Sequence, residues 1–113
     1  MKRGDIVLIT IPFSDLSSTK VRPALVLSPE DRSENDFIVA LITTNIHRSL
    51  KSTDHVLKIG TKHSAATGLR FDSVFRMSKL FNLEKNLARR RLGAAPMPLM
   101  KELEIKLRRA LGI

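Results

Sequence analysis

The chain has 113 residues, is 42% hydrophobic and 27% charged, and contains no cysteine, tyrosine or tryptophan. This length suits one folded domain over residues 1–113, and the lack of cysteine excludes disulfides, thiolate metal sites and a cysteine nucleophile. Twenty Lys and Arg against eleven Asp and Glu give a net charge of +9, which favours a polyanionic partner such as RNA, DNA or a very acidic protein. No apolar run is long enough to span a membrane and no secretory segment opens the chain, so we expect a cytoplasmic protein with no membrane partner.

Apolar runs in the first half of the chain predict three β-strands. They cover Ile6–Ile11, Pro23–Leu27 and Phe37–Thr43 and are rich in β-branched residues. Because the runs are almost wholly apolar, we expect both faces of these strands to be covered. The polar segments between them are predicted loops.

Shorter elements are predicted in the second half. Strands are expected at His55–Ile59 and Ser73–Phe75, a loop at Thr61–Gly68, and one helical turn over Leu83–Leu87 capped by Asn82. The pattern of Ala88–Ala94 is compatible with a helix or a strand, and Gly93 with the two prolines after it favours a last strand. Leucines three or four residues apart predict a helix that begins near Pro98 and ends at Gly112. Its expected i,i+4 ion pairs are Glu102–Lys106 and Glu104–Arg108.

Arg22 stands before Pro23 at the start of the second predicted strand. Proline fixes its own φ and favours an extended conformation at the preceding residue, so the guanidinium should leave a rigid segment. Its planar fork of donors suits phosphate oxygens. The alternative, from these residues alone, is an arginine in a surface ion pair.

Aromatic and histidine residues indicate less. Most of the five phenylalanines lie in apolar patterns typical of a core, so an aromatic platform for single-stranded bases is not expected as the main binding device. His47, His55 and His63 are spaced too irregularly for a metal site. We therefore expect no metal and no cofactor. The run Arg89–Arg91 is either a solvated face or a contact for phosphates or an acidic partner.

Eight segments occur together in one order: Gly4–Val7, Pro12–Asp15, Lys20–Ser28, Ile38–Thr43, Gly68–Leu69, Asp72–Val74, Arg90–Gly93 and Arg109–Gly112. In this order and spacing the chain resembles the MazF/PemK toxin family of endoribonucleases over nearly its whole length. The resemblance implies a mainly β, α+β fold: a small SH3-like barrel closed by a C-terminal α-helix. It also implies a homodimer, metal-independent cleavage of single-stranded RNA at short motifs, and an antitoxin whose acidic segment covers the active site.

The resemblance also implies site residues. Arg22 and Thr43 match the family's catalytic pair, the arginine before the proline and the threonine that ends the third strand. Ser73, in the Asp-Ser-Val match, is implied to touch RNA beside them. Further predicted RNA contacts are Lys20, Thr44, His47 and Arg76, and sequence recognition is expected from the loops Ser14–Val21 and Thr44–Thr53.

One departure concerns a second acid. In the PemK branch of the family, an arginine followed two residues later by an aspartate assists catalysis, together with a histidine in the first loop. Here Arg76 is followed by Ser78, and the first loop has no histidine. The sequence retains an arginine–threonine mechanism, in which the RNA's own 2′-OH attacks the adjacent phosphate and gives a 2′,3′-cyclic phosphate and a 5′-OH.

Two other functions are compatible with the sequence. The same fold also serves a toxin that poisons gyrase and cleaves no RNA, and fold alone does not separate the two. A non-catalytic RNA-binding barrel would explain the charge of +9 but would leave the Arg22–Pro23 element without a role.

Overall fold

The computed structural model describes residues 1–12, 19–46 and 50–113. Within these ranges the elements are, in chain order, β1 (Asp5–Pro12), β2 (Thr19–Val26), β3 (Asp36–Thr43), β4 (Asp54–Leu57), α1 (Ser64–Thr67), β5 (Ser73–Glu84), a 3₁₀ turn (Lys85–Leu87), β6 (Ala88–Ala94) and α2 (Met97–Leu111). The strands form one antiparallel sheet in the order β4-β5-β3-β2-β1-β6. The α+β class and the C-terminal helix are confirmed.

The sheet is open, so the predicted barrel is not confirmed. Its outer strands are β4 and β6, and no ladder joins them in the described part of the chain. β4 has four residues and pairs with β5, whereas β6 pairs with β1. Closure needs a ladder between the two outer strands, and the second edge of the four-residue β4 does not pair with β6 in the described part of the chain.

Hydrophobic clusters cover both faces of the sheet, as the apolar strands predict. The cluster beneath α2 joins Leu99 and Leu103 to Leu25 and Phe75. The cluster on the opposite face includes Val7, Ile9, Ala24, Val26, Phe37 and Val39, with Phe81 and Leu83 packed against it. β1 and β5 are separated by two strands in the sheet order, so their meeting in one cluster means that the sheet curls around it.

Strand β2 begins four residues before the predicted start. Pro23 lies inside it, opposite Leu8 of β1, and the pairing with β3 comprises only Ala24–Val26. Proline has no N–H to donate to a ladder, so a proline in an inner strand requires a gap in the pairing. The ladder between β2 and β3 therefore starts directly after Pro23.

Strand β5 extends nine residues beyond the predicted end at Phe75, to Glu84. The partner of β3 jumps from Leu80 to Arg76 between two consecutive residues of β3, so residues 77–79 form a bulge that bends the strand. Asn82 lies within β5, and the helical turn that follows it has no side-chain cap. The predicted cap at Asn82 is therefore wrong.

Helix α1 replaces a predicted loop and packs closely on β6. A Cβ atom added at Gly68 would collide with the Leu92 carbonyl, and one added at Gly93 would collide with the backbone of Ala66 and Thr67. Gly68 also has a φ of +73°, in the left-handed region. These two glycines allow the backbone of α1 and of the residue after it to lie directly against β6.

Helix α2 contains Pro98 in its first turn and is followed by Gly112 in the left-handed conformation, as predicted. It packs its buried residues, Leu99, Met100 and Leu103, on the sheet. No helix among the described residues is long and apolar enough to cross a membrane.

The charged residues of α2 pair with other elements, so the predicted i,i+4 pairs are not formed. Glu104 accepts a hydrogen bond of 3.0 Å from Arg3. Lys106 donates to the carbonyl of Asp54 over 2.9 Å. The N-terminus and β4 thus supply the partners: Arg3 forms an ion pair with the helix, and the Lys106 hydrogen bond ties the helix to the sheet.

Candidate active site

The register of two adjacent strands, β2 and β3, bears on the relative placement of Arg22 and Thr43. The register between β2 and β3 pairs Ala24 with Leu41, Leu25 with Ala40 and Val26 with Val39. Continued by two residues beyond the pair Ala24–Leu41, that register brings position 22 opposite position 43. Residues two apart in a strand share a face, so both side chains lie on the face of Ala24 and Leu41.

The described β2–β3 ladder does not extend to this level, and Thr43 is half-buried. Arg22 is exposed, and among the described residues no carboxylate or carbonyl contacts its guanidinium. The Thr43 hydroxyl accepts a hydrogen bond of 3.1 Å from the Asn45 N–H. Its own proton therefore stays available for donation to an oxygen of a ligand.

The residues that follow this pair line a cavity of about 380 Å³. Pro23 and Thr44 are on its wall, with Ser73 and Arg90. A second depression of about 620 Å³ also includes Thr44. The side chains of successive strand residues point to opposite faces. The cavity beside Pro23 therefore opens on the face of the sheet opposite to that of Arg22.

Ser73 lies beside the cavity but is buried. Only 1% of the residue is exposed, and its hydroxyl donates to the carbonyl of Phe71 over 2.8 Å. In the free protein this hydroxyl holds the chain that enters β5. A direct contact with RNA remains a prediction for Ser73.

Arg76 is also buried, and its carboxylate partner comes from β4. It lies opposite Asp54 across the β4–β5 ladder, with 3.6 Å between its Nε and an Asp54 carboxylate oxygen. The sequence has Ser78 where the PemK branch has its aspartate, and the β4–β5 ladder brings a carboxylate to Arg76 from another strand. No sequence signal marks this pairing, because it depends on the register of β4 against β5.

The remaining predicted contacts lie at the margins of the described structure. Lys20 is exposed on β2, two residues before Arg22, and so shares its face. His47 falls outside the described residues, as do most of the first predicted recognition loop and residues 47–49 of the second. Thr44 is exposed.

Phe71 is a surface residue that belongs to none of the sites expected from the sequence. It is 68% exposed, whereas Phe37 and Phe75 are 3% and 0% exposed and belong to the core. The signal for this difference is its position between Arg70 and Asp72, outside any apolar pattern. Phe71 lines both depressions.

His55 is held between two charged residues of α2. Lys106 Nζ lies 3.1 Å from its Nδ1, and Glu102 lies 3.6 Å from its Nε2. Burial and the nearby Lys106 lower the pKa of His55 below its usual 6.5, and Glu102 opposes them with a smaller effect. Among the residues described, no three His, Asp or Glu side chains converge on a common metal position.

The chain matches one protein family over residues 2–111, described as PemK-like, MazF-like toxin of type II toxin-antitoxin system. No curated protein is a significant sequence match.

Solved structures with the same fold include three from two bacterial groups. An endoribonuclease in complex with its cognate antitoxin from a mycobacterial species has a TM-score of 0.77 at 19% identity, over 100% of this chain and 96% of that one. The Mycobacterium tuberculosis toxin MazF-mt6 has a TM-score of 0.75 at 22% identity, over 96% of this chain and 97% of that one. A MazE-MazF structure from Deinococcus radiodurans has a TM-score of 0.73 at 21% identity, over 100% and 97%.

Proposed function

We propose a function from the family to which the chain belongs, the PemK-like, MazF-like toxins of type II toxin-antitoxin systems: it is a toxin that cleaves single-stranded RNA in the cytoplasm at short sequence motifs, without a metal. The observation that supports the proposal is the β2–β3 register, which, extended two residues beyond the pair Ala24–Leu41, brings position 22 opposite position 43. A guanidinium and a hydroxyl on one face of adjacent strands can offer donors to one phosphate group.

The proposed reaction is transesterification. The 2′-oxygen of a ribose forms a bond to the adjacent phosphorus, and the bond from phosphorus to the 5′-oxygen breaks. The 2′-OH loses its proton and the departing 5′-oxygen gains one, so the products carry a 2′,3′-cyclic phosphate and a 5′-OH. DNA lacks the 2′-OH and is therefore not a substrate.

Arg22 and Thr43 act by stabilising charge. Negative charge grows on the non-bridging phosphate oxygens as the 2′-oxygen attacks, and donors already in place at that position lower the barrier. An arginine side chain stays protonated in proteins, so Arg22 is not the base that removes the 2′-OH proton. It donates instead to a phosphate oxygen or to the departing oxygen, and Thr43 donates its free hydroxyl proton.

Two protein partners belong to the proposal. An antitoxin is supported by the solved complex of the mycobacterial endoribonuclease with its cognate antitoxin. The charge of +9 suits an acidic antitoxin segment. A homodimer is expected from the family, and sedimentation of the purified chain would measure it.

Incubation with a long single-stranded RNA, with and without EDTA, tests the function. Discrete cuts that persist in EDTA and leave 2′,3′-cyclic phosphate ends are the expected result. A DNA strand of the same sequence is the substrate control, and an Arg22→Ala preparation purified in parallel controls for contaminating nucleases. Intact RNA in every condition would contradict the proposal.

A further inference from the structure

We propose that Phe71 is a stacking surface for a base of the RNA strand, in a subsite formed with Arg70 and Thr44 next to the scissile phosphate. This inference rests on the proposed function, since it assigns a base-binding subsite to the same interface. The occupant to which it commits is a nucleobase of single-stranded RNA.

The exposure of the ring is the first support. Phe71 is 68% exposed in a chain whose other described phenylalanines are buried or half-buried. Leaving a phenyl ring in water forgoes the stabilisation that burial would give. Ile59, on the wall of the same depression, is also 41% exposed, so the ring is part of an apolar patch.

The ring is presented by a segment that contacts hold at Phe71 itself and at the following residue, Asp72. The Phe71 carbonyl accepts the 2.8 Å hydrogen bond from Ser73. Asp72 accepts a hydrogen bond of 2.8 Å from the Ile59 N–H and lies 3.7 Å from Lys58 Nζ. An aromatic side chain on a rigid segment loses little conformational entropy when a base stacks on it.

The two depressions meet at this ring. Thr44, Arg70 and Phe71 line both the cavity of about 620 Å³ and the cavity of about 380 Å³. Thr44 directly follows Thr43, so the subsite lies at the end of β3, on the other side of that end from the proposed catalytic hydroxyl. An RNA strand that crosses the ends of β2 and β3 can therefore place one phosphate at the proposed catalytic pair and a base on Phe71.

Charge favours RNA as the occupant over an apolar peptide. Arg70 and Arg90 line these cavities, and the acidic residue on the wall, Asp72, is already engaged with Ile59 and Lys58. Arginine beside an aromatic ring supplies a phosphate contact next to a stacking face, the combination that single-stranded nucleic acids use.

The natural chain contains no tryptophan, which makes a direct test available. A Phe71→Trp variant carries a single indole at the subsite, and stacking of a base is expected to quench its fluorescence. The ligand is a single-stranded 2′-O-methyl oligonucleotide of mixed sequence, which cannot be cleaved. Met97→Trp is the matched control, because Met97 is equally exposed, at 68%, at the start of α2, and its emission should not change.

Affinity for the same labelled oligonucleotide supplies the second readout. Phe71→Ala and Phe71→Leu are both expected to weaken binding about tenfold, since stacking on an aromatic ring is lost in each. Circular dichroism of each variant checks the fold. Leucine binding as tightly as phenylalanine would overturn stacking in favour of a generic apolar contact.

These readouts separate the subsite from the proposed function. Oligonucleotide binding with no quenching of Phe71→Trp and no loss in Phe71→Ala overturns the subsite, whatever the cleavage assay gives. Quenching and loss of affinity in a protein that cleaves no RNA support the subsite and contradict the nuclease. No binding of the oligonucleotide to the natural chain overturns the subsite as well.

Discussion

Asp54 and Arg76 face each other across the β4–β5 ladder and form a buried ion pair without a hydrogen bond. Arg76 Nε lies 3.6 Å from Asp54 Oδ1, and the two side chains are 10% and 3% exposed. Neither of these atoms has another hydrogen-bond partner in the described structure. Apart from one hydrogen bond that the other Asp54 oxygen accepts from the Lys51 N–H, burial of these two charges is offset mainly by their mutual attraction.

Asp54→Asn is expected to lower the free energy of unfolding by about 3–5 kcal/mol, because it leaves Arg76 as an unpaired buried cation. Asparagine keeps an oxygen that can accept from the Lys51 N–H, as Asp54 does over 2.9 Å. The charge is therefore the main change. Urea unfolding of both proteins measures the difference.

The control is the double variant Asp54→Asn with Arg76→Met. Methionine removes the buried charge and keeps an extended apolar side chain, so the double variant should be more stable than Asp54→Asn alone. If both single and double variants unfold at the natural midpoint, the pair does not stabilise the fold.

The sequence predicts those elements whose apolar pattern is continuous. The predicted bounds of β1, β3 and α2 lie within two residues of the observed bounds. Each of these elements forms because its own apolar residues, such as Val7, Val39 and Leu103, are buried. The second half of β5 was missed since Ser78 and Lys79 lie in the bulge, where alternation stops. Whether a curled sheet closes depends on pairing between distant edge strands, which no local pattern encodes.

The candidate site was predictable as residue types and not as geometry. The Arg22–Pro23 pair and the strand-final Thr43 can be identified from local chemistry and family resemblance. Their common level depends on the β2–β3 register. The contact between Asp54 and Arg76 depends in the same way on the register of β4 against β5. The exposure of Phe71 depends on the hydrogen bond that Asp72 accepts from the Ile59 N–H.

Acid is expected to destabilise the fold through His55. Burial and Lys106 lower the pKa of this imidazole in the folded state below its usual 6.5, so the unfolded chain takes up the proton first. The contribution of His55 to the free energy of unfolding is complete above about pH 6.5, and it is lost as the pH falls from there through the lower pKa of the folded state. The slope from one such group is at most about 1.4 kcal/mol per pH unit.

Urea unfolding of the natural chain and of His55→Gln at several pH values between 7 and 5 measures this contribution. The variant lacks the titrating group and should lose less stability over that interval. The groups that face the imidazole, Lys106 and Glu102, are present in both proteins. Parallel curves for the two proteins would exclude His55 as the source.

Arg22→Lys is expected to lower the cleavage rate of bound RNA about 100-fold. Lysine keeps the positive charge but loses the planar fork that can donate two hydrogen bonds to one phosphate, and loss of one preorganised donor costs 10²–10³ in rate at comparable sites, or about 3–4 kcal/mol. Single-turnover cleavage at saturating enzyme measures the step.

Arg32→Lys is the matched control for that substitution. Arg32 is exposed in the turn between β2 and β3, at the end of these strands away from Arg22, and its replacement should leave the rate unchanged. A natural rate in Arg22→Lys would show that charge alone suffices and that the geometry of the guanidinium has no role.

Thr43→Val tests the hydroxyl by itself. Valine keeps the β-branched shape that suits the end of β3, but it removes both the acceptor for the Asn45 N–H and the proton that Thr43 can donate. Single-turnover cleavage should fall about 100-fold. Thr43→Ser retains the hydroxyl and should recover most of the rate, which separates loss of the donor from a change in the strand end. Full activity in the valine variant would remove Thr43 from the site and leave Arg22 without its partner.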